Sequence, residues 1–324
     1  MKSNSLKNHV DRLSAGYLII GKWHKHRYTI VRKLGSGATG TVYLAEDGLS
    51  QLVALKVALD NMAITSEVNV LKHLSKVEGK ILGPKLIDVD DLVTSDGNLP
   101  FYVMEYLKGT SIIDYVNGKG AEWLGLFAVQ LLGDLENLHR EGWVFGDLKP
   151  DNLLIVGSPK RIRWIDVGGT TLLGRSIKEF TEFFDRGYWN LGSRKAEPSY
   201  DLFAVAMIMI NCEYPERFEK RAGNLEELFQ KKIMESQRLQ PFCSILMKAI
   251  RGNYTRAGEM KSELIQLLGE PPKGKKKISV VKQTNKSRKV KKRSQKKPSF
   301  LIEFFLILSL LILCYILYLF GQMM

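Results

Sequence analysis

From Tyr28 the chain alternates apolar and polar positions, YTIVRKL and then TVYLAED, on either side of a glycine cluster. A period of two predicts strands, so these runs read as a hairpin that turns at Gly35-Ser36-Gly37-Ala38-Thr39-Gly40. Leu52–Val57, LVALKV, is a third strand, with Lys56 set inside an apolar, β-branched run. The period then lengthens: EVNVLKHL puts Val68, Leu71 and Leu74 on one face of a helix opened by Glu67, with Thr65 or Ser66 as its cap. After a Gly83-Pro84 turn, Lys85–Val93 and Phe101–Leu107 return to strand.

Beyond Gly109 the pattern is mainly helical. Residues 121–141 carry a dense apolar stripe, with His139 near the end as a capping cation. A short hairpin interrupts the helices, LLIV and RIRWI about a Gly157-Ser158-Pro159 turn. Residues 169–200 show no period and read as a long irregular loop with hydroxyls at Thr170, Thr171, Ser176 and Thr181. Asp201 then opens a strongly apolar helix, where an acid serves most simply as a cap or dipole partner. Helical patterns run on to Leu268, and Glu270-Pro271-Pro272 ends the folded part.

Charge changes the picture of the tail. The formal net charge is +14, yet Lys273–Lys297 alone holds 13 Lys or Arg and no acid, so residues 1–270 are close to neutral. The segment reads as a disordered basic linker. Phe300–Phe320 follows, 21 residues whose one charge is Glu303 near the entry end. As a helix it would extend about 31 Å, matching a bilayer's hydrocarbon core. Tyr315 and Tyr318 suit the far interface. The expectation is a single-pass membrane anchor with the basic side, and the catalytic domain, in the cytoplasm. Only Gly321–Met324 would project beyond it, so no extracellular sensor is expected. The linker first of all sets topology and tethers; it can also meet anionic lipids. Nucleic-acid binding is the least favoured reading, because the neighbouring anchor competes with it. Cys212, Cys243 and Cys314 show neither disulfide nor metal spacing and fit a reducing compartment. Ala15–Ile20 is apolar but too short for a signal peptide.

Five patterns carry chemistry. The glycine cluster followed by Val42 lies between strands, where backbone N–H groups can meet phosphate oxygens. Lys56 needs a charge partner, and Glu67 is the obvious one. In VFGDLKPDNLLI, Asp147, Lys149 and Asn152 have the spacing of a phosphoryl-transfer loop: a base, a phosphate partner and a metal-holding amide. The hairpin after Asn152 brings Asp166 back beside it, an oxygen pair suited to Mg²⁺ on a triphosphate. Between the two halves, the backbone of Glu105–Leu107 is placed to pair with an adenine edge.

In this order the motifs resemble the eukaryotic-type (Hanks-type) serine/threonine protein kinases over roughly residues 28–268, as a compact bacterial-type member. The resemblance implies an α+β, bilobal fold. Residues 1–27 would be an N-terminal extension. A small antiparallel N-lobe with one helix would span 28–107 and a mainly helical C-lobe 108–270; the linker over 271–299 and the transmembrane helix over 300–320 would follow. It implies ATP and Mg²⁺, with Mn²⁺ as an admissible substitute, and a protein substrate presenting Ser or Thr. Asp147 and Lys149 would be catalytic; Gly35–Gly40, Val42, Ala54, Lys56, Glu67, Glu105 and Leu107 would bind ATP; Asn152 and Asp166 would hold metal. The chain departs from the family at three places. Phe145-Gly146 replaces His-Arg before the catalytic Asp, which makes it a non-RD type; Val167 replaces the phenylalanine of Asp-Phe-Gly; and no Ala-Pro-Glu closes the activation segment. The FGDL run also resembles the aminoglycoside and choline phosphotransferases, so a small-molecule kinase is the rival reading. A membrane-bound pseudokinase scaffold is the third, weakened by the complete set of Lys56, Asp147, Asn152 and Asp166.

Overall fold

The alternating segments before Glu105 pair into one antiparallel sheet of six strands. They are β1 (Leu18–Ile20), β2 (Arg27–Gly37), β3 (Gly40–Asp47), β4 (Leu52–Val57), β5 (Leu86–Thr94) and β6 (Gly97–Glu105), ordered β1-β2-β3-β4-β6-β5. The computed structural model describes Val10 and residues 13–37, 39–58, 60–75, 82–95, 97–220 and 223–269; Ala38, the linker and the expected membrane span lie outside them. Among the described residues, no helix is long and apolar enough to cross a membrane.

Strand alternation divides the sheet into two faces. Val53, Leu55 and Val57 of β4, with Phe101 and Val103 of β6, pack with Ile19, Tyr28 and Tyr43 in one core. Their neighbours Ala54, Lys56, Tyr102 and Met104 turn to the other face, toward helix α1 (Asn61–Leu74) and the second lobe. The sequence reading opened α1 at Glu67. The helix instead starts two turns earlier, because the Asp60 carboxylate caps it by accepting the Met62 N–H at 3.0 Å. Glu67 is thus mid-helix, on the face that looks at β4. The segment before Tyr28 also takes part in the sheet: β1 pairs with β2, and Gly21 bridges to Leu92 on β5 at the opposite edge.

The second lobe begins with β7 (Gly109–Ser111), α2 (Ile112–Val116) and α3 (Ala121–Arg140). Two antiparallel pieces follow: β8 (Trp143–Val144) pairs with β11 (Thr171–Leu172), and β9 (Leu153–Val156) pairs with β10 (Arg161–Trp164). Helix α4 (Pro198–Asn211) is buried from Tyr200 to Asn211. It is the axis of the lobe, and α5 (Leu225–Glu235), α6 (Cys243–Ile250) and α7 (Ala257–Gly269) complete it. A helix apolar on all sides belongs at a core centre.

Residues 169–200 are less irregular than their lack of period suggested. Besides β11, residues 174–177 run beside 194–196, with Gly174 N–H to Ala196 O at 2.8 Å and Ile177 N–H to Arg194 O at 2.9 Å. His139 is likewise not a surface cap. It is buried, with Nε2 2.8 Å from the Asp201 carboxylate.

Candidate active site

Between the lobes lies a cleft of about 660 Å³. Its roof is Leu34–Gly37, Thr39, Gly40 and Val42, its wall Ala54, Lys56, Tyr102 and Met104, and its hinge side Glu105–Leu107. Its floor is Lys149, Asn152, Leu154, Ile165 and Asp166. Most of the residues singled out from sequence therefore converge on one space.

Strand alternation carries Lys56 to the cleft side, and burial obliges it to find a counter-charge. Its Nζ lies 2.7 Å from both carboxylate oxygens of Glu67, and both side chains are almost fully buried. Tyr102, opposite Lys56 in the strand register, donates its hydroxyl to Glu67 Oε2 at 2.8 Å. Burial first, then the charges of Glu67 and Asp166, hold the Tyr102 phenol well above its ordinary pKa, so it remains a donor. The sequence reading missed Tyr102; its one signal was a polar atom in an apolar strand.

At the other end, Asp147, Lys149 and Thr181 form a closed ring. Lys149 Nζ is 2.5 Å from Asp147 Oδ2 and 3.1 Å from Thr181 Oγ1, which donates to Asp147 Oδ1 at 2.9 Å. Asn152 donates its amide to the Asp147 carbonyl at 2.9 Å. The β9–β10 register then brings Ile165 N–H to Asn152 O at 3.1 Å, which sets Asp166 beside Asn152. Asp166 accepts the Gly168 N–H at 2.8 Å, which orients its carboxylate. The donors facing this corner of the cleft are an amide oxygen and a carboxylate, which fits a hard divalent ion.

The loop itself hangs from α4. Asp201, fully buried, accepts the N–H groups of Phe145 at 2.8 Å and Gly146 at 3.0 Å, as well as His139. Gly146 has φ +84°, and a Cβ there would lie 2.6 Å from the Gly169 carbonyl oxygen. Position 146 is closed to side chains by that approach. The Glu105 carboxylate meets Arg163 at 3.1 Å and the Lys85 N–H at 3.2 Å, so its side chain braces the hinge and its backbone borders the cleft. Val167 is buried in the core between the lobes, where Gly83 approaches it.

Two lobes, a glycine-roofed cleft and an Asp-Lys-Asn loop opposite a buried Lys–Glu pair define the class as phosphotransferase. The protein kinase domain family matches residues 28–271. The chain is 50% identical over 267 residues to the serine/threonine-protein kinase YabT of Bacillus subtilis, covering 82% of this chain and 78% of that one. It is 30% identical to Bacillus subtilis serine/threonine-protein kinase PrkC over 144 residues, which is 43% of this chain and 22% of that one. Against the Drosophila melanogaster cAMP-dependent protein kinase catalytic subunit 3 it is 24% identical over 263 residues, 75% of this chain and 43% of that one. The chain belongs to the Hanks-type serine/threonine protein kinase family and is a transferase of that kind. The small-molecule phosphotransferase and the scaffold are not favoured.

Proposed function

We propose that the chain moves the γ-phosphate of ATP to a Ser or Thr hydroxyl of a protein through the groups gathered at this cleft. Asp147 is the base that accepts the hydroxyl proton, and Lys149 meets the γ-phosphate. Lys56, aimed by Glu67 and Tyr102, meets the α- and β-phosphates, while the glycine turn covers them from above. Ala54, Val42 and Leu107 sandwich the base, and the backbone of Glu105–Leu107 reads its edge. Asn152 and Asp166 would hold Mg²⁺, which when bound supplies charge neutralisation on the phosphate oxygens. The observation that carries the reading is the cleft itself. One space has Lys56 on its wall and Lys149, Asn152 and Asp166 on its floor, with Asp147 bonded directly to Lys149.

The test uses the purified full chain with radiolabelled ATP, Mg²⁺ and a generic basic protein, beside Asp147→Asn and Asp166→Ala. Label on protein Ser or Thr, lost in both variants, is expected. ATP binding without transfer to any protein would overturn the proposal.

The reading extends to place and control. Phe300–Phe320 anchors the enzyme to a membrane with its catalytic domain on the cytoplasmic side, and Lys273–Lys297 meets anionic lipid; length, apolarity and charge asymmetry support this. Alkaline extraction that releases the full chain from membranes would refute the anchor. With Gly146 in place of arginine, the enzyme is of the non-RD type.

A further inference from the structure

The turn that joins β1 to β2, Gly21–His26, carries a cluster outside the cleft. His24 Nδ1 lies 2.6 Å from Asp88 Oδ1 and His26 Nδ1 lies 2.9 Å from Asp88 Oδ2. All three ligand atoms fall within 4.8 Å of one another. Asp88, on β5, is buried to 4% side-chain exposure, whereas the imidazoles are 54% and 62% exposed. The carboxylate thus forms a buried base, and two exposed nitrogens converge on it from the solvent side.

The surroundings hold the arrangement in place. Tyr28 donates its hydroxyl to Asp88 Oδ2 at 2.8 Å. Asp90, whose side chain is fully buried, accepts the Trp23 and His24 N–H groups at 2.8 Å each and so fixes the turn. Gly21 makes this approach feasible, because a Cβ there would lie 2.2 Å from Asp90 Oδ2. Lys25, between the histidines, takes φ +60° and presents both rings to the same side. Asp88 Oδ1 also accepts the Val89 N–H at 2.8 Å, which fixes the carboxylate further.

We infer that His24, His26 and Asp88 form a three-ligand site for a divalent transition ion of the Zn²⁺ class, which clips the turn after β1 onto β5 at the opposite edge of the sheet. Two imidazole nitrogens and one carboxylate are a borderline donor set that suits Zn²⁺ over Mg²⁺ or Ca²⁺. It differs from the all-oxygen corner of the cleft. Metal–ligand bonds of about 2.0–2.1 Å place tetrahedral donors about 3.3 Å apart. The exposed rings must therefore back away from the carboxylate by roughly half an ångström, each offering an unprotonated Nδ1 with its N–H on Nε2. Tyr28 and Asp90 stay as the outer partners that orient the donors. Solvent fills the fourth position.

The test takes the full chain stripped with chelator and titrates Zn²⁺ in excess Mg²⁺, which saturates all-oxygen sites. Binding is read by competition with a chromophoric chelator, by the visible spectrum of Co²⁺ in its place, and by melting temperature. His24→Ala, His26→Ala, the double variant and Cys243→Ser run alongside. One equivalent of tightly held Zn²⁺ is expected, with a tetrahedral Co²⁺ spectrum and a melting point raised by the ion. Each single histidine variant should lose at least about tenfold in affinity and the double variant all binding, while Cys243→Ser keeps it. Absence of binding at micromolar Zn²⁺, or binding undiminished in the double variant, would overturn the site. A drop in melting temperature in the histidine variants with no response to Zn²⁺ would also overturn it and leave a hydrogen-bonded clamp.

Discussion

Replacing Lys56 by methionine keeps an unbranched side chain one atom shorter and removes its charge. Glu67 is then left as a carboxylate at 3% exposure with, among the described residues, only the Tyr102 hydroxyl for a partner. Breaking a buried pair from one side costs about 3–5 kcal/mol, because the remaining charge is uncompensated. For a folded unit of this size each kcal/mol moves the melting point by about 2–4 °C, so Lys56→Met should melt roughly 6–12 °C lower even if the cost is at the low end. Lys56→Met combined with Glu67→Leu replaces the pair by apolar volume, which is close to neutral for stability. That double variant should recover part of the lost melting temperature. The residual deficit is the orphaned Tyr102 hydroxyl, worth about 1–3 kcal/mol.

Activity should follow a different course. Both variants lack the amine proposed to meet the phosphates, so phosphate transfer to protein should fall by at least about 100-fold in each. Scanning fluorimetry and radiolabel transfer on the same preparations separate the two effects. If Lys56→Met melts with the wild type, or the double variant is no more stable than the single, Lys56 and Glu67 do not form a buried ion pair. If stability returns and activity returns with it, Lys56 has no part in catalysis.

Two further perturbations test other parts of the site. Gly146→Arg, which would restore the family's missing arginine, should inactivate instead. It places a side chain at φ +84° against the Gly169 carbonyl, at a cost of about 1–2 kcal/mol for the backbone and about 1–3 for crowding, and a variant with wild-type activity and melting point would refute the closure. Glu179→Gln tests the charge near Asp166. Glu179 is exposed, so solvent weakens the effect, but desolvation and then the charges of Asp166 and Glu67 raise its pKa above the ordinary 4.5. A carboxyl raised in the folded state destabilises the fold above that pKa and not below its unfolded value. Glu179→Gln should therefore melt higher than wild type at pH 8, with the gap closing toward pH 4.5; a constant gap across that range would show that charge is not the cause.

The parts legible in the sequence were those fixed by local pattern. Lys56 stood out because a charge in a β-branched strand must have a partner. Asp166 could be joined to Asn152 because a hairpin's ends meet whatever its sequence. Tyr102 was not legible, since its partner Glu67 is 35 residues away and only the sheet register aims the hydroxyl. The start of α1 was misplaced because Asp60 looked like part of a connector, and its capping role appears only with the backbone of Met62 in view. His139 sits at a helix end, where a cation suits the dipole, but its actual partner is on a helix 62 residues further on. In each case the missing information was tertiary.

The activation segment shows how the fold meets a requirement that the motif alone seemed to leave unmet. Ala196-Glu197-Pro198 stands where Ala-Pro-Glu would be expected, with the acid and the proline exchanged. Pro198 takes the first turn of α4, where a missing N–H costs nothing. Glu197 accepts from Arg186 and Ser199, and the Arg186 hydrogen bond, with further help from Ser199, lowers its pKa. Arg186 is itself nearly buried and also reaches Ser193 O at 2.8 Å and Ser199 Oγ at 2.7 Å. Beside it the fully buried Asp185 accepts from the N–H groups of Gly187 and Tyr188, from Arg194 and from the Tyr200 hydroxyl. At the other end Lys178 ties the segment to Ser66 on α1 at 3.1 Å, one residue from Glu67. The segment is thus ordered by its own acids and cations from Lys178 to Tyr200. A phosphate added to it would find no arginine at position 146, because the backbone of Gly169 already fills that space.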